Sequence, residues 1–367
     1  RIAGHNEEGT AMQITTVGLD IAKLVFQVHG VDAEGNVVMR RRLSRGQVRH
    51  FFAALSPCLV GIEACGTAHY WARELQALGH DVRLMPAHYV KPYVKRQKND
   101  AADAEAICEA VTRPSMRFVP VKTPQAQALA LIHRIRTQFV GQRTAMLNAL
   151  RAGLAEFGII AAQGLRGASE LLEIAAAGDE RIPISLGGIY TMMVDAIRTV
   201  EARLGELDRQ IAAAAKGNDA CRRLSTIPGI GPVTSSTIVA LAGDVSRFSS
   251  GRDFAAWIGL TPRQNSTGGK SRLGRITKAG DQTLRTLFVL GAFAIIKQAR
   301  ITPAKASPWL LSLMGRRPAM VVAVALANKM ARIAWAILTR GGSYRTAATA
   351  EKAIPAQSHL AGARGGA

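Results

Sequence analysis

Two short apolar runs, each closed by a carboxylate, constrain this chain most. Thr15-Thr16-Val17-Gly18-Leu19-Asp20-Ile21-Ala22-Lys23 reads as a strand that continues through residues 24–29 into a hairpin ending near residues 37–41, with Asp32, Glu34, Gly35 and Asn36 supplying the turn. Cys58-Leu59-Val60-Gly61-Ile62-Glu63 is a second strand, with Glu63 at its end. Further on, Asp100 and Asp103 stand three apart in Lys98-Asn99-Asp100-Ala101-Ala102-Asp103-Ala104-Glu105-Ala106, an Ala-rich stretch predicted to be helical, so both fall on one helix face. Between these runs the pattern predicts helices over 47–54 and 67–78 and a strand over 81–85, and residues 13–119 therefore read as an α/β layered domain. One helix face and two strand ends can converge on a single point.

Four converging carboxylates repel one another strongly unless a cation neutralises them. Oxygen ligands suit Mg²⁺ or Mn²⁺, and two such ions about 3.5–4 Å apart can stabilise the attacking and leaving oxygens of a phosphoryl transfer. Taken singly, Asp20 is equally well a strand-end residue, and Asp100 and Asp103 a solvated pair favourable to a helix dipole. Their order and their elements together favour a metal site of the kind a ribonuclease H-like or RuvC-like nuclease needs. An actin-like sugar kinase, suggested by the Gly-Leu-Asp strand, lacks further phosphate loops.

At 367 residues and 48% hydrophobic content the chain can bury substantial cores in two or three domains, which excludes a disordered protein. Its net charge of +21 is unevenly placed: residues 225–367 carry 19 Lys and Arg against 4 Asp and Glu, a net +15, whereas residues 1–120 and 121–224 carry +3 each. The basic third is expected to meet phosphates in a salt-dependent way. Cys58, Cys65, Cys108 and Cys221 form no CxxC pair, which argues against a zinc module or disulfide scaffold. The longest apolar stretch, residues 319–338, is interrupted by Asn328, Lys329 and Arg332 and reads as a packed helix rather than a membrane span. With no signal peptide discernible, a cytoplasmic protein is expected, and residues 1–11 read as an extension outside the fold.

Residues 88–98 interleave Tyr89 and Tyr93 with Lys91, Lys95, Arg96 and Lys98, which suits contact with a nucleic-acid backbone as well as it suits a solvated loop. Beyond residue 124, Leu129, Ile132, Ile135, Phe139, Leu147, Leu150, Leu154 and Phe157 recur at helical spacing, and residues 192–211 repeat the pattern after a Gly-rich interval. Two long helices folded back on each other, or paired between subunits as a coiled coil, would bury that stripe. Leu224-Ser225-Thr226-Ile227-Pro228-Gly229-Ile230-Gly231-Pro232-Val233-Thr234 has the form of a helix-hairpin-helix turn, in which Gly229 and Gly231 would let backbone N–H groups approach a DNA phosphate; tight packing alone is the plainer use of such glycines. Downstream, Ser266 precedes Gly268-Gly269 within a segment carrying Arg263, Lys270, Arg272, Arg275 and Lys278, a set able to hold a phosphate and support a serine alkoxide. Judged without a relative, any serine there is first a turn or cap residue.

The ordered set Gly18-Leu19-Asp20-Ile21-Ala22-Lys23, Glu63, Asn99-Asp100-Ala101-Ala102-Asp103-Ala104, Pro228-Gly229-Ile230-Gly231-Pro232 and Ser266-Thr267-Gly268-Gly269-Lys270 resembles the DEDD-type insertion-sequence transposases of the 110/1111 family, which include bridge-RNA-guided recombinases and are related to Piv-type DNA invertases. The resemblance spans most of residues 17–338. It implies a RuvC-like domain over 12–121, a helical coiled-coil region for oligomerisation over 122–219, a mainly helical transposase domain with a helix-hairpin-helix over 220–345, and a flexible tail over 346–367. By position it implies Asp20, Glu63, Asp100 and Asp103 as a Mg²⁺-binding tetrad and Ser266 as a nucleophile forming a phosphoserine link to DNA, with domains of different protomers making a composite site. It also implies donor and target DNA, a bridge RNA and a homodimer or homotetramer as partners, and no membrane. Ser235, Ser236 and Ser271 lie near similar segments, so the serine assignment rests on the Ser-Thr-Gly-Gly match. A metal-dependent structure-specific nuclease or junction resolvase, needing the carboxylates and no serine, is the runner-up, and a DNA-bridging protein with a decayed site is the non-enzyme reading.

Overall fold

The computed structural model describes residues 13–94, 100–270 and 272–345, and the chain divides into two compact units, Arg1–Thr123 and Pro124–Ala367. The expected leader at 1–11 and tail at 346–367 lie outside the described residues.

The first unit runs β1 (Thr16–Ile21), β2 (Val25–Val31), β3 (Val37–Ser44), α1 (Val48–Ala53), β4 (Leu59–Glu63), α2 (Ala68–Ala77), β5 (Asp81–Met85), α3 (Ala87–Val90) and α4 (Asp100–Val111). Its five-stranded sheet has the order β3-β2-β1-β4-β5, with β1, β2 and β3 antiparallel in succession and β4 and β5 parallel to β1. The strand expected to run from Thr15 to His29 is broken at residues 22–24: Ala22 N–H bonds Val25 O at 3.2 Å, the chain reverses, and Leu24 is left 68% exposed. The β2–β3 turn uses the expected residues, for Asp32 Oδ1 accepts from the backbone N–H groups of Glu34 at 3.1 Å and Asn36 at 2.7 Å.

Strand alternation sorts this sheet into two faces. Val17, Leu19, Phe26, Val60 and Ile62 pack with Trp71, Ala72 and Leu75 of α2 and with Phe52 of α1 in one core. The opposite face meets α4, whose Ile107, Ala110 and Val111 pack with Met85. Two glycines let that helix come down onto the strands. A Cβ at Gly18 would stand 2.1 Å from Ala104 O and 2.5 Å from Cys108 N, and one at Gly61 would stand 2.8 Å from Val111 Cβ. Neither glycine has a positive φ, so close approach and not backbone conformation demands them. Gly18→Ala is therefore expected to lower stability by about 1–3 kcal/mol through forced displacement of α4. Gly46→Ala, where a Cβ meets nothing within 4 Å, should shift the unfolding midpoint far less. Thermal unfolding of the two variants side by side checks this, and equal midpoints would refute the close-packing account.

The second unit is mainly helical: α5 (Pro124–Ala155), α6 (Leu165–Ala177), α7 (Ile184–Gly217), α8 (Asp219–Leu224), α9 (Pro232–Ala242), α10 (Gly251–Ile258), the short strands β6 (Pro262–Gln264) and β7 (Leu273–Ile276), α11 (Gln282–Ile301), α12 (Pro308–Arg316) and α13 (Ala319–Arg340). The Gly-rich interval holds a helix: α6 buries Leu171, Leu172 and Ala175 against Leu150, Leu154, Val194 and Ile197. Helix α7 begins at Ile184, earlier than the apolar repeat indicates. Helices α5 and α7 are antiparallel, since Arg136 pairs with Asp208 at 2.5 Å while Gly153 lies against the Tyr190 hydroxyl. The stripe on α5 is unevenly covered. Leu150 and Leu154 are fully buried, but Ile135 is 37% exposed, and Leu131, outside the stripe, is 52% exposed.

A buried polar joint fastens α5 to α9. His133 Nε2 is 2.9 Å from Ser236 Oγ and its Nδ1 is 3.2 Å from Thr237 Oγ1, while Pro232 O and Val233 O lie 2.7 and 2.6 Å from the same two hydroxyls; a neutral ring donates to one hydroxyl and accepts from the other. Burial, followed by the Arg136 charge, pushes the imidazole pKa down to about 4, so the ring is neutral at pH 7. Helix α13, the one described helix long and apolar enough to cross a membrane, packs Val322, Ala323, Ala327, Ala331 and Ala334 into the core with Phe254 and Phe288.

Candidate active site

The acidic residues of the first unit are placed by the sheet register. Strands β1 and β4 are parallel with Gly18 opposite Gly61 and Leu19 opposite Ile62, so Asp20 and Glu63 are the residues that follow the last paired positions of two neighbouring strands. Asp20 is two residues beyond Gly18 and Glu63 two beyond Gly61, which puts both on the face that α4 covers. Cys65 reports on the same neighbourhood: its thiol pKa is raised first by burial and then by the negative charges of Glu63 and Asp20. Its Sγ reaches Ile21 O at 4.0 Å.

Helix α4 runs antiparallel to β1, because Ala104 O and Cys108 abut Gly18 while Cys108 Sγ reaches Thr16 O at 3.8 Å. Its first turn, which Asp100 opens, thus lies toward the strand ends. Asp103 is half-buried and stands one turn before the buried Ile107. Among the described residues no group of three or more His, Cys, Asp or Glu is already closed around an ion position. Lys95, Arg96 and Lys98 fall outside the described residues.

Ser266 sits at the exposed end of a β-hairpin that the sequence does not announce. Strands β6 and β7 pair Pro262 with Ile276 and Gln264 with Leu273, and Asn265 N–H bonds Arg272 O at 2.8 Å. Gly268 and Gly269 have φ of 54° and 76°, the paired positive values that a tight two-residue hairpin turn requires. Arg272 N–H donates to Ser266 Oγ at 3.2 Å. The side chains of Arg263, Lys270, Arg272, Arg275 and Lys278 are all exposed around this hairpin. Its base is held firmly, for Arg285 Nη1 donates to Ile258 O at 3.0 Å and Ala279 O at 2.9 Å, and Asn328 Nδ2 donates to Leu260 O at 3.2 Å. The competing serines differ. Ser235 and Ser236 are fully buried with their hydroxyls turned onto Pro232 O, and Ser271 lies outside the described residues.

The turn between α8 and α9 uses its two glycines differently. A Cβ at Gly229 would stand 2.6 Å from Gly291 O of α11, and one at Gly291 would stand 2.2 Å from Gly229 O, so Gly229 serves backbone-to-backbone packing. Gly231 is exposed with open space around it, directly before Pro232 at the start of α9. A cavity of about 640 Å³ lies beside that turn and is lined by Ile295, Leu326 and Trp309 among others; the Ser266 hairpin is not part of its wall.

Residues 17–159 match a family model described as a transposase with a DEDD domain, and residues 221–307 match one described as the IS116/IS110/IS902 family transposase. The chain is 53% identical over 336 residues to a protein of Pseudomonas aeruginosa named "Probable family 20 transposase", which covers 91% of this chain and 99% of the relative. It is 39% identical over 340 residues to the transposase for insertion sequence element IS1111A of Coxiella burnetii, covering 91% and 92% of the two chains. It is also 39% identical over 328 residues to the transposase for insertion sequence element IS1328 of Yersinia enterocolitica, covering 89% and 98%.

The chain belongs to the IS110/IS116/IS902 family of transposases.

A transposase of this family cleaves DNA and transfers strands, and its DEDD domain implies a divalent metal ion. The chemistry of Asp20 and Glu63 fits such an ion, since both are carboxylates, the hard oxygen ligands that a divalent cation such as Mg²⁺ prefers, and both lie on one sheet face at adjacent strand ends. One set of side chains on this face belongs to no motif: Gln27 and Arg42, which the register brings into line with Asp20, and Arg40 in the next row. The run Arg40-Arg41-Arg42 is visible in the sequence, but the row it joins exists only once three strands are paired.

Proposed function

We propose that this transposase cuts and exchanges DNA strands through a Ser266 phosphoserine intermediate assisted by a Mg²⁺ site of Asp20, Glu63, Asp100 and Asp103, and that a bridge RNA selects its donor and target DNA. The observation that carries the reading is that one chain has both a carboxylate pair at adjacent strand ends and an exposed serine on a firmly based, strongly basic hairpin. A hydrolytic nuclease needs only the first. When bound, Mg²⁺ would supply charge stabilisation to the oxygens of the reacting phosphate. The protein's own groups do the rest: Arg263, Lys270, Arg272, Arg275 and Lys278 attract and orient the DNA backbone, and the Arg272 N–H steadies negative charge developing on Ser266 Oγ. Gly231 and the start of α9 offer a further backbone contact to DNA, whereas Gly229 supports that turn from within. Lys95, Arg96 and Lys98 add positive charge ahead of the acidic helix.

In this reading residues 12–121 form the metal-dependent domain, 122–219 the oligomerisation region and 220–345 the transposase domain. The exposed Leu131 and Ile135 on α5 support a homodimer or homotetramer, since a second copy would cover them. The deciding experiment is a strand-exchange assay with two marked plasmids, run with protein as purified, with nuclease-treated protein, and with treated protein given back its co-purified RNA. Rejoined products that vanish on nuclease treatment and return with the RNA are expected. Nicked, unjoined DNA alone would favour a nuclease or junction resolvase, and undiminished exchange without RNA would remove the guide.

A further inference from the structure

Strand β3 is the edge of the sheet, and Arg40, Arg41 and Arg42 are all exposed on it. Consecutive strand residues point to opposite faces. The Arg41 guanidinium lies 5.5 Å from the Phe51 ring centre, on the face that α1 and α2 cover, whereas Arg40 pairs with Glu105 of α4 at 3.7 Å. Arg40 and Arg42 therefore share the face of Asp20. The register aligns them further: Asp20 is opposite Gln27 and Gln27 is opposite Arg42, while in the next row Gly18 is opposite His29 and His29 is opposite Arg40. Along these rows opens a cleft of about 150 Å³, lined by Gln27, His29, Arg40 and Arg42 and by Ala101 from the first turn of α4.

A run of charge on an edge strand guards against pairing with another sheet. That accounts for charge on either face, but not for a cleft with a guanidinium and an amide in one row with the acidic pair. Among the described residues Arg42 has no ion-pair partner, so its planar fork is available to a tetrahedral anion, to which it can donate two hydrogen bonds at once.

We propose that this cleft holds a backbone phosphate of the DNA strand crossing the acidic site, with Arg42 as the principal donor and Gln27 and Arg40 beside it. Arg42 lies two strand spacings from Asp20, roughly 10 Å, so the phosphate it takes flanks the reacting one. Arg42 is thus a positioning residue: it fixes the strand's register relative to Asp20 and Glu63. The inference rests on the reading of those carboxylates as the cleavage site.

The test uses the full chain with Asp20→Asn, so that binding is measured without cutting, and a fluorescein-labelled duplex DNA of mixed sequence. The slope of log binding constant against log salt concentration is recorded for this protein and after adding Arg42→Gln, Arg42→Lys or, as a control on α1, Arg49→Gln. Arg42→Gln is expected to weaken binding several-fold and reduce the slope by about one, Arg42→Lys to keep the slope, and Arg49→Gln to change neither. With Asp20 intact, Arg42→Gln should slow plasmid cleavage about tenfold, with Arg42→Lys recovering part of it. An unchanged slope with Arg42→Gln, an equal change with Arg49→Gln, or a change seen with duplex RNA and not with DNA would overturn the proposal. If Asp20→Asn alone leaves cleavage intact, the acidic-site reading fails by itself, and the slope still decides whether Arg42 holds a phosphate.

Discussion

Asp20→Asn is expected to reduce DNA cleavage by about 10³-fold while leaving DNA affinity within a factor of about two. The substitution keeps the size of the side chain and removes its charge at the end of a strand whose parallel neighbour ends in Glu63. The binding surface is spared, because the excess positive charge lies in residues 225–367. A second readout separates a lost ion site from a misfolded protein. Adding Mg²⁺ should raise the parent's midpoint, because a ligand that binds only the folded state stabilises it, and should raise the variant's much less. Cleavage at the parental rate, or an equal Mg²⁺ response in both proteins, would remove Asp20 from the ion site. Asp103→Asn, on the half-buried helix position, should behave in the same way.

The first unit was legible because strands advertise themselves by alternation. Val17, Leu19, Val60 and Ile62 face one core, which leaves Gly18, Asp20, Gly61 and Glu63 on the other face, and two-residue periodicity carries that information locally. The pairing of Gly18 with Gly61 was not legible, nor was the row from Asp20 through Gln27 to Arg42, because register is a property of two chains of sequence brought together. Helix α6 was hidden for a different reason: Gly164, Gly167 and Gly178 at and near its ends dilute the apolar pattern, although Leu171, Leu172 and Ala175 do fall on one face. The β6–β7 hairpin buries almost nothing, with Arg263 to Lys270 all exposed, so it left no hydrophobic trace; its only local mark was Gly268-Gly269, whose positive φ values make the turn. The glycine turn before α9 shows the limit of a motif, since Gly229 and Gly231 look alike in sequence and only one of them meets α11.

Ser266→Ala is expected to stop both cleavage and strand exchange, with residual activity below about one part in 10³. In the proposed step Ser266 Oγ forms a bond to phosphorus as the bond to the departing sugar oxygen breaks, the hydroxyl proton leaving to a base and the sugar oxygen taking one up. One phosphodiester replaces another, so its bond energy is kept and a new strand end can reverse the reaction without an external energy source, whereas attack by water discards it. Among the described residues the hydrogen bond to Ser266 Oγ comes from the Arg272 N–H. That donor and the surrounding guanidinium and ammonium groups favour the alkoxide but cannot accept its proton, so the alkoxide must be formed by a group from outside the hairpin. This sets the order of dependence: removing Ser266 should abolish the covalent adduct whatever the state of the acidic residues, and Asp20→Asn should diminish the adduct even though Ser266 is intact. A nicked duplex whose cut fragment diffuses away traps the intermediate, and peptide mapping locates the linkage. An adduct on Ser235 or Ser236 would require unpacking α9, in which both are buried, and one on Ser271 would give the nucleophile to another serine of the sequence; any of these results, or exchange by the alanine variant, would remove Ser266 from the reaction.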